Sequence, residues 1–262
     1  MRRFAIVAAL TANLMPACQA AGEPPPVVTA TATVEPTSSF PLHDTQELLA
    51  MSRGARFRAP DGVVLEGRIF GHGDVGIVLA HMGVGDQGQW WDLTGLLADR
   101  GYSVLTYNRR GSCPGGDLGC SQGEDIGDGW KDVVGAVGAL RAAGAERVAV
   151  GGASQGAMES LYAVAKGGAE ADGLLWVAGA DLYRGLSAER LVRDLRGPKL
   201  FIAGTFDDPF GELAKVLHRV AFPPKQLLLL DTGEHGTDIL AYEEPVIADS
   251  FRQAVLDFMA AL

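Results

Sequence analysis

The sequence predicts an α/β fold with a mostly parallel sheet and helices on both faces. Three observations carry that expectation. Short unbroken apolar runs such as "VGIVLAH" (75–81) and "RVAVGGA" (147–153) read as strands buried on both faces. Stretches with helical spacing separate them. Glycines and polar turn residues punctuate the joints.

The regular alternation begins at Gly54. "ARFRAPDGVVLEGRIFG" (55–71) reads as a hairpin turning at Asp61-Gly62, an antiparallel addition to the sheet. After the strand at 75–81, "QWWDLTGLLADRG" (89–101) is helical and stops at Gly101. "YSVLTYN" (102–108) is the next strand and "IGDGWKDVVGAVGALRAAG" (126–144) the next helix. The strand at 147–153 leads into the helix "QGAMESLYAVAKGG" (155–168). Three further buried strands, "GLLWVAG" (173–179), "KLFIAGT" (199–205) and "QLLLLDT" (226–232), are separated by helices at 187–197 and 210–220. "PVIADSFRQAVLDFMAAL" (245–262) closes the domain as an amphipathic helix.

The chain has 262 residues, 47% hydrophobic and 21% charged, which suits one large domain at 54–262 rather than two small ones. A net charge of -10 argues against a nucleic-acid partner, which needs a basic surface. Residues 1–20 have the layout of an export signal: Arg2 and Arg3, an apolar stretch too short to span a bilayer, then small residues. "LMPAC" is similar to a bacterial lipobox, with Cys18 as the lipidated residue; simple cleavage after Ala20 is the alternative. Residues 21–53, rich in Pro, Thr and Ala, read as a disordered linker. The expected location is therefore the bacterial cell envelope, lipid-anchored at Cys18, or secreted or periplasmic. In such a compartment Cys113 and Cys120, seven residues apart in one glycine-rich loop, are expected to pair as a disulfide. A metal site there lacks a second Cys/His pair, and a catalytic thiol lacks a partner.

Ligands of an open parallel sheet gather at the C-terminal ends of its strands, and chemistry-bearing residues stand at three such ends. Gly152-Ala153-Ser154-Gln155-Gly156 is a Gly-x-Ser-x-Gly between a strand and a helix, the context of a nucleophile elbow. A serine hydroxyl needs a base, and the base an orienting acid. Of the two histidines after Ser154, His218 falls inside a helix, while His235 lies in a loop beyond the last strand. Asp207 and Asp208 follow the strand at 199–205; Asp207 is the expected acid with Asp208 as the alternative, although Asp208, directly before Pro209, fits a helix cap better.

At "GASQG", "GTFDD" and "GEHGT", and more weakly at "LAHMGVG", the chain resembles the α/β-hydrolases over about residues 54–262. The resemblance implies a triad of Ser154, Asp207 and His235. It places one oxyanion donor at the backbone N–H of Gly83 and the second at that of Gln155. Met82 stands where that family usually has glycine, and His81 takes a position the family uses to hold the loop. Trp90 and Trp91 read as core or rim packing, with one of them lining an acyl pocket as the alternative. Only about 20 residues separate the strands at 173–179 and 199–205, near the length of a plain connection, so the chain resembles the small lidless members, such as dienelactone hydrolases and acyl-protein thioesterases. The cysteine loop at 111–123 is placed to wall one side of the site.

The function expected is a serine hydrolase cleaving small or medium carboxylic esters or thioesters through an acyl-enzyme, without metal or organic cofactor. The rivals are an exported binding protein that has kept the fold without the chemistry, and a perhydrolase of the haloperoxidase type. If Cys18 is lipidated, Cys18→Ala shifts the protein from the membrane to the soluble fraction on cell fractionation; unchanged partition refutes the anchor.

Overall fold

The computed structural model describes residues 38–124 and 127–262. The expected signal segment, Cys18 and the first part of the linker lie outside the described residues.

The apolar runs fold as strands because each can bury both faces. β3 (Val75–Ala80), β4 (Ser103–Tyr107), β5 (Arg147–Ala153), β6 (Gly173–Val177) and β9 (Lys199–Gly204) are buried almost throughout. Their side chains alternate between two cores. On β3, Val78 and Ala80 enter one core and Ile77 and Leu79 the other. The first core is covered by α3 (Gly129–Ala142), α4 (Gln155–Tyr162), α5 (Ala188–Val192) and α6 (Phe210–Val220). The second lies under α2 (Trp91–Asp99), α7 (Asp238–Tyr242) and α8 (Pro245–Ala260).

With β1 (Ser52–Arg58), β2 (Val64–Phe70) and β10 (Lys225–Leu230), the sheet has eight strands in the order β1-β2-β4-β3-β5-β6-β9-β10. β1/β2 and β2/β4 pair antiparallel, and the other pairs are parallel. The order turns back at β3, which sits between β4 and β5, and the chain leaves all the parallel strands at one edge. β1, at the sheet margin, carries Arg53, Arg56 and Arg58, charges that discourage pairing with another sheet.

Four expectations need correction. The linker expected over 21–53 ends sooner, because α1 (Thr45–Met51) forms within it and β1 begins at Ser52. The cause is a capping box: Glu47 N–H donates to Asp44, Asp44 N–H donates to Glu47, and Leu48 is buried beneath. The hairpin turn is centred on Pro60-Asp61, closed by Gly62 N–H on the Ala59 carbonyl, with Gly62 left-handed at φ 87°. The helix expected over 187–197 is only the five residues of α5, preceded by a small hairpin of β7 (Leu182–Tyr183) and β8 (Leu186–Ser187), so the β6–β9 connection is not plain. Asp208 does not cap α6: the N-cap is Pro209, and the Asp207 carbonyl accepts the first helical N–H groups.

The N-terminal segment is tied to α8 through Asp249, whose carboxylate accepts from Ser38, Ser39 and Arg252. Burial alone would raise this carboxyl, but those hydrogen bonds outweigh it and hold it at about 2. The Arg110 guanidinium likewise holds Asp61 at about 2. A carboxyl depressed from 3.8 contributes stability that is complete above about pH 4 and lost as pH falls through about 2. Asp132 and Asp207, pushed up by burial, run the other way, so the test is a difference. Wild type should exceed Asp249→Asn in Tm above about pH 4, and the gap should close towards pH 2 in melts followed by circular dichroism.

Candidate active site

The turn from β5 to α4 is tight because two glycines remove the side chains that would block it. A Cβ on Gly152 would lie 2.7 Å from Ala157 N, and one on Gly156 would lie 2.6 Å from the His81 carbonyl oxygen and overlap that of Ala80. Between them Ser154 is held at φ 52° and ψ -117°, a conformation that costs a residue with a Cβ about 1–3 kcal/mol. Its N–H donates to the Val177 carbonyl at the end of β6. This is the strained strand-to-helix elbow expected of "GASQG".

Asp207 stands beyond β9 and His235 beyond β10. The two meet: His235 Nδ1 lies 2.8 Å from Asp207 Oδ2, and in the neutral tautomer that donates through Nδ1 the Nε2 atom is an acceptor. Burial pushes the Asp207 carboxyl up from its ordinary value, and the hydrogen bond and charge of His235 work against that rise. The imidazole is tilted at 48° against the Phe210 ring, with centroids 4.4 Å apart. Gly236, left-handed at φ 61°, brings the histidine loop against the elbow: a Cβ there would lie 3.3 Å from the Ala153 side chain and 2.6 Å from Met82 Sδ. Among the described residues the Ser154 hydroxyl makes no hydrogen bond to the imidazole; such contacts often tighten only with substrate bound.

Gly83 and Gln155 also come together, since a Cβ on Gly83 would lie 2.9 Å from Gln155 Oε1. The loop before Gly83 is fixed despite Met82. The Met82 side chain is buried, and its N–H donates to Gln89 Oε1 at 3.1 Å. Arg109 N–H donates to His81 Nε2 at 3.0 Å, so His81 carries its proton on Nδ1 and donates it to the Met82 carbonyl at 2.6 Å. His81 is thus a loop anchor. A cleft of about 450 Å³ opens beside the loop, lined by Gly83 together with Arg109, Arg110, Ser112 and Glu124 among others, and not by Ser154 or His235. Cys113 and Cys120 form a disulfide within the loop at 111–123, and Gly111, Ser112 and Gly123 of that loop line the cleft.

The other candidates fall elsewhere. Trp90 is fully buried with Nε1 donating to the Ala80 carbonyl, and Trp91 packs edge-on to Phe70, so both are core residues. His218 is half-buried on α6 with its ring edge-on to Phe201. Sequence reasoning missed Phe210 and the buried pair of Arg109 and Glu159. A glutamate inside the otherwise apolar run "GAMESLYAV" was the available signal for that pair.

No protein-family model matches the sequence, and no curated protein matches it. Solved structures do. Esterase Pf2001 of Pyrococcus furiosus superposes with a TM-score of 0.66 at 16% identity, over 87% of this chain and 97% of that one. A CIB-like hydrolase of Thermoplasma acidophilum gives 0.62 at 20% identity, over 80% and 99%. This is the α/β-hydrolase fold. The esterase of Exiguobacterium antarcticum shares it with a TM-score of 0.64 at 13% identity, over 79% and 100%.

On the α/β-hydrolase fold the elbow stores strain that a glycine would release. Ser154→Gly is expected to raise stability by about 1 kcal/mol, read as a higher Tm, whereas Ser154→Ala, which keeps the Cβ, should leave Tm nearly unchanged.

Proposed function

We propose that this protein is a serine hydrolase that cleaves small or medium carboxylic esters or thioesters. The observation that carries this reading is a strained Ser154 at the strand edge where Asp207 and His235 are already hydrogen-bonded. His235 Nε2 takes the hydroxyl proton as Ser154 Oγ attacks the carbonyl carbon. The Gly83 and Gln155 N–H groups receive the developing oxyanion, and Asp207 holds the imidazole tautomer and balances its charge. The imidazolium then gives its proton to the leaving alcohol or thiol as the tetrahedral intermediate collapses to an acyl-enzyme. Water, losing a proton to the same Nε2, releases the acid and restores Ser154.

Only a small hairpin and a five-residue helix fill the connection between β6 and β9, and so short an insertion favours compact substrates over long acyl chains. Export from the cytoplasm is part of the same proposal, and the Cys113–Cys120 disulfide supports an oxidising compartment.

A fluorophosphonate probe should give one adduct, at Ser154, lost in Ser154→Ala. A panel of p-nitrophenyl esters should show kcat/KM falling as the acyl chain lengthens. No adduct and no hydrolysis would favour a binding protein on the same fold, and a rising profile would refute the compact-substrate reading.

A further inference from the structure

Arg109 and Arg110 follow β4 in tandem and turn to different partners. Arg110 pairs with Asp132 on α3 and Asp61 in the hairpin turn. Arg109, 2% exposed, donates from Nε and Nη2 to the two oxygens of Glu159 at 2.7 and 2.8 Å, a bidentate fork. Glu159 is fully buried on α4, one turn beyond Gln155, and Gly129 leaves no room above its carboxylate. Apolar side chains of the same volume would fill this space without desolvating two charges, so packing alone does not explain the pair.

Hydrogen bonds run from the pair in both directions. On one side Gln155 Nε2 donates to Glu159 Oε1 at 3.0 Å, and Gln155 Oε1 lies beneath Gly83. On the other, Arg109 Nη1 donates to the Met82 carbonyl at 3.4 Å, and the Arg109 backbone N–H sets His81 to donate to that same carbonyl. This carbonyl belongs to the peptide whose N–H is that of Gly83. In a planar trans peptide the C=O and N–H point in opposite directions. Two donors pulling on the Met82 oxygen therefore fix the direction of the Gly83 N–H.

We infer that Arg109 and Glu159 are positioning residues that align the two oxyanion donors, Gly83 and Gln155, with each other. The inference rests on the serine-hydrolase reading and adds to it. Both are buried, at 2% and 0% exposure, and neither is one of the groups proposed to react. Their effect is on the transition state, where the oxyanion forms, and not on ground-state binding.

The test is the double variant Arg109→Met/Glu159→Leu, which removes both charges together and so avoids stranding one. Its Tm should stay near that of wild type. With a p-nitrophenyl ester, kcat should fall about ten- to hundredfold with KM changed by less than about twofold. Affinity for an alkyl boronic acid, which forms a tetrahedral adduct on Ser154, should fall in the same ratio. A folded double variant with wild-type kcat and boronate affinity overturns the inference, whatever its Tm. If the double variant does not fold, Gln155→Met cuts only the α4 link; it should lower kcat at unchanged Tm, and an unchanged kcat overturns the inference. A wild type that neither hydrolyses esters nor labels at Ser154 overturns the functional reading and this one with it. An active wild type with an indifferent variant overturns this one alone.

Discussion

The first turn of α4 lies directly against the end of β3, with backbone on both sides and no volume for a side chain between them. Gly156 sits on the carbonyls of Ala80 and His81, and Gly152 faces the amide of Ala157. From the far side the Trp90 indole donates to the Ala80 carbonyl, so the strand end cannot retreat. The left-handed Ser154 is a consequence of this packing. A residue with a Cβ relaxes to negative φ wherever its neighbours allow, and here they do not. The same contact sets the height of the 81–83 loop above the serine, so the elbow and the loop are positioned as one unit.

The remaining pieces are attached to this unit by groups that sequence patterns reveal unevenly. The buried strands were legible because period and burial go together: a run such as "VGIVLAH" fits a strand covered on both faces and little else. The elbow was legible because sterics demand glycine at 152 and 156. The pairing of Asp207 with His235 followed from their placement after successive strands, since the sheet carries both to one edge. Less visible were elements whose stability comes from a few specific bonds. α1 depends on a reciprocal Asp44–Glu47 cap within an otherwise linker-like composition. Asp208 has the residue type of a cap and the wrong backbone position, because the chain enters α6 through the Asp207 carbonyl. The Arg109–Glu159 pair joins β4 to α4 across 50 residues, a separation that periodicity cannot report.

The environment of His235 follows from the same economy of space. Phe210 covers one side of the ring, and Met82 packs against Gly236 beside it. These apolar contacts restrict the imidazole while Asp207 fixes its tautomer. Asp207, 8% exposed, is pushed up by burial, and the hydrogen bond from His235 partly offsets that rise. The acid and the base are therefore coupled: a displaced imidazole removes the bond that opposes the rise in the Asp207 carboxyl, and a carboxylate in place stabilises a charged imidazole.

The placement of buried charge completes the picture. Arg109, Arg110, Asp132 and Glu159 are each no more than 4% exposed, and they cluster where β4, α3 and α4 meet. The two cores elsewhere are mainly apolar. An apolar contact tolerates small slides, because neighbouring arrangements bury nearly the same area. A bidentate guanidinium–carboxylate pair does not, since a shift of about one ångström breaks hydrogen bonds between groups that have lost their water. Tandem arginines on one strand end thus bind α4 through Arg109 and α3 and the hairpin turn through Arg110. Directional bonds of this kind tie elements that must keep their register, and Arg252 does the same between α8 and Asp92 of α2.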